Sequence, residues 1–139
     1  MSKYNSQKCE ADGYSFDSKE EMRYYECLKV RKAKETIMNF ELQPKYILLE
    51  AFTYMGKKRQ QMTYTPDYLI YHNDGTEELI DVKGMETQQG NLRRKLFENR
   101  YRDKVLTWVA SSYKYGDTDG WITCEELKKM RKSNKKVAK

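Results

Sequence analysis

Tyr64-Thr65-Pro66-Asp67-Tyr68 closes one apolar run of this chain, and Asp81-Val82-Lys83-Gly84 closes the next. Residues 62–71 are rich in Tyr, Thr, Leu and Ile and predict a strand. Residues 79–83 predict a second strand. Between them His72-Asn73-Asp74-Gly75 is a turn cluster, whose glycine supplies the positive φ of a short hairpin loop. A hairpin centred near Asp74 sets Asp67 opposite Asp81, give or take one position. Opposed residues of an antiparallel pair share a face, with Cβ atoms roughly 4.5–5.5 Å apart. Lys83 lies two residues beyond Asp81, and strand alternation returns it to that face. Two carboxylates and a lysine therefore converge at the end of one hairpin. Like charges so close are costly without a counter-ion, and a hard divalent cation such as Mg²⁺ prefers carboxylate oxygen.

A surface hairpin with one cross-strand ion pair is the plainer account, and such pairs contribute little. Two features weigh against it. Pro66 removes a ladder hydrogen bond, so the strand bends or lies at an edge beside the acidic group. The second feature is Phe16-Asp17-Ser18-Lys19-Glu20-Glu21, which opens a helical run over residues 18–34. Ser18 is a good N-cap, and Glu21 completes a capping box three residues later. Glu21, Tyr25, Leu28 and Lys32 follow helical spacing, so Glu21 ends a stripe that faces the sheet. A glutamate there ordinarily caps a helix. The functional alternative is an outer metal ligand or a water-orienting group, and both Glu20 and Glu21 are near enough to serve.

Taken in order, Phe16-x-Ser18-x-x-Glu21, Pro66-Asp67 and Asp81-x-Lys83-Gly84 resemble the motifs of the PD-(D/E)XK nuclease superfamily. More narrowly, the chain is similar to a group of small phage and prophage proteins compared with Holliday-junction resolvases. Leu42-Gln43-Pro44-Lys45-Tyr46 stands where that group carries a Leu-Gln-Pro segment. The resemblance spans about residues 12–110. It implies a metal-dependent endodeoxyribonuclease in which Asp67 and Asp81 hold Mg²⁺ or Mn²⁺, with the Val82 carbonyl as a further ligand. By the same resemblance Glu21 positions the metal's water shell, while Lys83 orients or helps deprotonate water and neutralises developing charge. It also implies branched DNA as substrate, in phage or prophage recombination or replication, and a place in the cytoplasm of a bacterial host cell. Resolving a two-fold symmetric junction needs paired cuts, so a homodimer is expected.

Composition bounds the function further. A length of 139 residues suits one domain over 1–139, with a core at about 12–110 and a basic helix and tail at 123–139. The net charge of +6 together with 12 tyrosines points to a polyanion partner, with nucleic acid foremost. No apolar run is long enough to span a bilayer, and no helix has a basic amphipathic pattern. The polar first residues carry no signal-peptide pattern. Cys9, Cys27 and Cys124 are odd in number and widely spaced, which suggests reduced thiols rather than a disulfide framework or zinc knuckle. The lone histidine, His72, argues against histidine-ligated metal chemistry. Lys57, Lys58 and Arg59 of a basic turn, with Arg93, Arg94 and Lys95 of a helix, are the candidates for holding the DNA backbone. Phosphate contacts carry no sequence information, so recognition of DNA shape or branching is expected.

The remaining elements follow from pattern. Residues 1–10 are polar and loose, and 11–16 form a short strand or a turn about Asp12-Gly13. Residues 36–40 can start a strand, and 42–54 are the clearer one. Residues 87–102 predict a helix with an apolar stripe of Leu92, Leu96 and Phe97, whose basic face lies near the site. Residues 105–110 predict a strand buried on both faces. Residues 113–120 form a loop, Thr123 caps a helix over 124–132, and 128–139 make a basic tail. Helix, three-strand meander, helix and a last strand returned parallel by a crossover make an α/β fold with a mixed central sheet, the restriction-endonuclease-like core. Two other functions fit the composition: a non-catalytic basic DNA-binding protein on a nuclease fold, and a plain duplex or single-strand nicking endonuclease. The first binds DNA equally well in EDTA and never nicks.

Overall fold

The computed structural model describes residues 8–137; most of the segment expected to be loose, 1–7, and the last two tail residues lie outside them. β1 (Cys9–Ala11) and β2 (Tyr14–Phe16) pair antiparallel about Asp12 and Gly13, at φ of 53° and 82°. Two successive positive φ values let a two-residue turn follow the strand twist. Cys9 and Glu10 are thus strand, not loose coil. α1 (Lys19–Ala33) follows, then β3 (Asn39–Leu42), β4 (Tyr46–Leu49), β5 (Phe52–Tyr54), β6 (Lys57–Arg59), β7 (Met62–Tyr64), β8 (Tyr68–Tyr71) and β9 (Glu77–Val82). α2 (Gln88–Arg100), β10 (Leu106–Ser111), β11 (Trp121–Thr123) and α3 (Cys124–Val137) complete the chain.

The central sheet runs β11-β10-β9-β8-β3. β9 and β10 are parallel and connected through α2, while the other neighbours are antiparallel. The fold is therefore α/β with a mixed sheet, as the pattern of elements predicts. Strand alternation gives the sheet two apolar faces. Tyr68, Ile70, Ile80 and Val109 face α1, where they meet Tyr24, Tyr25 and Leu28. Leu69 and Leu79 point the other way and meet Phe97 of α2. Trp108 and Ala110 meet Cys124 and Leu127 of α3. Asp81 alternates onto the side of Leu79.

The predicted meander needs correction. Residues 42–54 are not one strand. Gln43 at φ 53° and Pro44 break the chain after β3, and only β3 joins the central sheet. The expected strand over 62–71 is also two. Pro66 cannot donate to a ladder, so β7 pairs with β4 while β8 pairs with β3 and β9. Residues 121–123 were expected to lie between a loop and a helix cap, yet they add β11 at the sheet edge. Thr123 does cap α3, its hydroxyl accepting from the Glu126 N–H at 3.2 Å. α3 then runs through the basic tail to Val137, well past the expected end at residue 132. On α1 the buried stripe is Glu21, Tyr24, Tyr25 and Leu28, and Lys32 is exposed. On α2 Phe97 is buried but Leu92 is 54% exposed, so the expected stripe holds only in part. Among the described residues no helix is long and apolar enough to cross a membrane.

Candidate active site

Pro66 is fully buried and ends the β4–β7 ladder, which leaves Asp67 on irregular backbone just before β8. The β8–β9 register pairs Tyr68 with Ile80, so its next step sets Asp67 against Asp81. The two residues are tied across this step. The Asp67 N–H donates to Asp81 Oδ1 at 3.0 Å, and the Val82 N–H donates to Asp67 Oδ2 at 2.8 Å. Lys83 follows the end of β9, and its Nζ lies 3.6 Å from Asp81 Oδ2. Its ammonium also stands over the Trp108 ring, 4.8 Å from the centroid. The opposed pair and the lysine on its face are thus where turn position and alternation predict.

The acid of α1 arrives from the opposite layer. Ser18 Oγ accepts from the Glu21 N–H at 3.1 Å, and Glu21 Oε2 accepts from the Asp17 N–H at 3.0 Å. The expected capping box forms in its Ser18 half, and the glutamate reaches back one residue further, to the N–H before the cap. The Tyr68 hydroxyl donates to the Glu21 carbonyl at 2.7 Å and ties the first turn of the helix to β8. Glu21 and Asp81 are the only buried charged residues among the described ones, at 6% and 3% exposure. The Glu21 carboxyl is near enough to that of Asp67 to help raise its proton affinity. Glu20 lines the same cleft but is exposed and belongs to neither network. Of the two candidate glutamates, only Glu21 is built into the acidic cluster.

Tyr64 is the residue that the sequence pattern did not single out. Its hydroxyl donates to Asp81 Oδ2 and accepts from Trp108 Nε1 at 3.1 Å. Burial and the Asp81 charge push this hydroxyl far above its ordinary value, so it stays a donor at neutral pH. Trp108 stands directly beside Asp81 in the β9–β10 ladder. Asp81 is therefore held by a peptide N–H, a phenol and an ammonium. Glu21, Tyr64, Asp67, Asp81, Val82 and Lys83 line one cleft of about 750 Å³.

The basic candidates divide. Lys57, Lys58 and Arg59 form β6 rather than a turn, and all three are exposed. Lys95 is exposed on α2. Arg93 is committed to the fold: its guanidinium donates to the Thr63 carbonyl at 2.7 Å. Arg94 is committed as well, ion-paired with Glu125 at 2.6 Å and Glu98 at 3.4 Å, and stacked over Trp108 at 4.6 Å. The charge of Arg94 is thus paired with carboxylates of α2 and α3, whereas Arg93 gives one donor to β7 and has no carboxylate partner among the described residues.

Residues 1–117 match the model of a family described as a protein of unknown function, DUF1064. The chain belongs to the DUF1064 family. No curated protein and no solved structure matches it. The matched span takes in every member of the acidic cleft, whereas all of α3 lies beyond it.

The charge balance of this DUF1064 cleft sets what it can hold. Three carboxyl groups meet there, and Lys83 is the only cation among the described residues within ion-pair distance of them. Burial, then the Asp81 charge, then the Glu21 carboxyl push the Asp67 carboxyl well above the ordinary carboxylate range. A divalent cation in place of the shared proton suits this donor set. Among the described residues no three His, Cys, Asp or Glu side chains form a ready ligand set. Magnesium commonly takes only one or two carboxylates and keeps several waters, which Asp67, Asp81 and the Val82 carbonyl match.

Without metal, the raised Asp67 value makes stability depend on pH. Folding takes up a proton at Asp67 between its unfolded value near pH 4 and its higher folded value. This contribution is fully present below about pH 4 and is lost as pH rises through the folded value. Asp67→Asn keeps an acceptor for the Val82 N–H and cannot ionise. In EDTA its melting temperature is expected to match the parent's near pH 4 and to exceed it by several degrees at about pH 8. Thermal melts across that range check this; a difference that does not grow with pH contradicts it.

Proposed function

We propose that this protein is a divalent-metal-dependent DNA endonuclease with a PD-(D/E)XK-type core, hydrolysing phosphodiester bonds in branched DNA. One observation carries the proposal: Asp67 and Asp81 are cross-bonded at a broken strand, with Glu21 and Lys83 in the same cleft. The order helix, paired strands, helix and parallel strand supports the same core. Asp67, Asp81 and the Val82 carbonyl would hold Mg²⁺ or Mn²⁺. Such an ion supplies Lewis-acid stabilisation of the phosphate and acidifies its bound water.

The protein's own groups do the rest. Lys83 places a positive charge at the mouth of the cleft, held by Asp81 and by the Trp108 ring. There it orients the attacking water and offsets charge that grows in the transition state. Tyr64 fixes Asp81 by donating its hydroxyl to Oδ2. Burial and the Asp81 charge raise the proton affinity of the Asp67 carboxyl, and Glu21 adds to them. Exposed Lys57, Lys58, Arg59 and Lys95 contact the phosphate backbone. A C₂ homodimer would supply the two cleavage sites a four-way junction needs.

Cleavage of matched linear, flapped and four-way substrates in Mg²⁺ or Mn²⁺ tests the substrate class. Faster cleavage of the branched forms is expected. Equal rates on all three leave a plain nicking endonuclease. Light scattering with and without branched DNA tests assembly: a dimer is expected, and a monomer under both conditions contradicts junction resolution.

The helix acid gives a separate prediction. Glu21→Gln should lower cleavage at least about tenfold, while Glu20→Gln leaves it within about twofold. Of the two glutamates, only Glu21 bears on the Asp67 carboxyl. Glutamine retains much of the cap, so stability changes by less than about 1 kcal/mol. A Glu20 variant as impaired as the Glu21 variant would assign the acid wrongly.

A further inference from the structure

β4 and β5 on one side, and β6 and β7 on the other, form a single arm outside the central sheet. Its base is the candidate site, because Tyr64 at the end of β7 donates to Asp81. Between Ile47 and Leu49 the register shifts by one residue. Such a bulge bends and twists a strand pair. Beyond it, β5 and β6 pair only with each other, Phe52 with Arg59, Thr53 with Lys58 and Tyr54 with Lys57. The tip is Met55 and Gly56, at φ of 49° and 77°, a turn that follows the strand twist and keeps the tip narrow.

Opposed residues share a face and alternate residues return to it. One face of the tip therefore carries Phe52, Tyr54, Lys57 and Arg59, and the other carries Thr53 and Lys58. Every residue of the two strands is exposed. Phe52 is 46% and Tyr54 58% exposed, and Met55 at the turn is 85% exposed. Neither ring is stacked on another ring or cation, and none of the three basic side chains has an ion-pair partner among the described residues. A two-stranded ribbon by itself is marginally stable at best, and cross-strand pairs on such a face add little to it. Two open rings beside two open cations, with no carboxylate among them, match a strand whose bases are unpaired. Each base offers a π-face and each phosphate a negative charge.

We infer that the tip of this arm is a binding platform for unpaired nucleic-acid strand, with Phe52 and Tyr54 stacking on bases while Lys57 and Arg59 hold phosphates. This deepens the endonuclease proposal, on which it rests, by naming the feature of branched DNA that is gripped. Arg59 lies five residues from Tyr64, at most about 17 Å of strand and about five base-pair rises. Unpaired strand at a branch is thereby bound a short step from the proposed cleavage point.

Binding in EDTA tests the platform without any need for catalysis. The probes are a fluorescein-labelled oligothymidylate and a blunt duplex of equal length, read by anisotropy, with Mn²⁺-dependent plasmid nicking followed in parallel. The paired change Phe52→Ser with Tyr54→Ser is expected to weaken single-strand binding at least about tenfold. Duplex affinity should stay within about threefold, and nicking of plain duplex should persist. Lys57→Gln with Arg59→Gln should weaken both probes and reduce the single-strand salt slope by about 1.4. Thr53→Ala, on the other face, should change neither. Failure of the parent to bind oligothymidylate overturns the inference. So does equal single-strand affinity of the aromatic variant and the parent, or an aromatic variant that differs only in self-association by sedimentation. Absence of nicking by the parent with single-strand binding and its aromatic dependence intact overturns the endonuclease proposal alone.

Discussion

Lys83→Ala is expected to lower DNA cleavage at least about a hundredfold while leaving DNA binding within about threefold. The ammonium is held 3.6 Å from Asp81 and over the Trp108 ring, so it is positioned before substrate arrives. A preorganised charge aimed at a developing negative charge typically contributes two to three orders of magnitude, roughly 2.7–4 kcal/mol. Binding survives because Lys57, Lys58, Arg59 and Lys95 remain exposed. Asp81→Asn should be as severe for a different reason. It keeps an oxygen for only one of its two donors, the Asp67 N–H or the Tyr64 hydroxyl, and removes the charge that holds Lys83. Single-turnover rates with anisotropy on the same preparations separate the two quantities. A Lys83 variant that cleaves normally removes lysine from the chemistry.

Phe97→Ala is expected to destabilise the fold by roughly 3–5 kcal/mol. Phe97 is fully buried, and its ring centroid lies 5.3 Å from Tyr46, 5.5 Å from Tyr64 and 5.0 Å from Tyr101. It is the residue of α2 that fills the space between the central sheet and the β4–β7 pair. The loss is a large share of the 5–15 kcal/mol that holds a typical domain, and the melting temperature should fall by about 10 °C or more. The Tyr64 ring would also lose its support, so Asp81 would be held less firmly. Phe97→Leu keeps an apolar group in place and should cost about half as much or less. Urea titration of the three proteins measures this. A loss below about 1 kcal/mol in Phe97→Ala would mean that α2 does not anchor the arm.

The parts of the site that were legible in the sequence are local ones. A turn at 72–75 and strict alternation suffice to set Asp67 against Asp81 and to return Lys83 to their side. Ser18 and Glu21 are three residues apart, and the Ser18 cap on the Glu21 N–H needs nothing else. What was hidden depends on partners distant in sequence. Tyr64 lies three residues before Asp67, but Pro66 breaks the alternation between them, so parity could not place its hydroxyl on Asp81. Arg94 reads as a free cation until α3 brings Glu125 to it. β4 was merged with its neighbours because nothing local announces that Gln43 takes a positive φ. β11 is three residues long and exists through its pairing with β10. The signal in the sequence for Tyr64 is its place on the strand that enters Pro66-Asp67.

Metal-dependent strand cleavage by the purified protein tests the central claim most directly. Supercoiled plasmid is incubated with the parent protein in Mn²⁺, with the parent in EDTA, and with Asp81→Asn in Mn²⁺ after its melt confirms a native fold. Nicked and linear products in the first reaction alone are predicted. Intact plasmid in all three, or equal nicking by Asp81→Asn, contradicts a phosphodiesterase site at Asp67, Asp81 and Lys83.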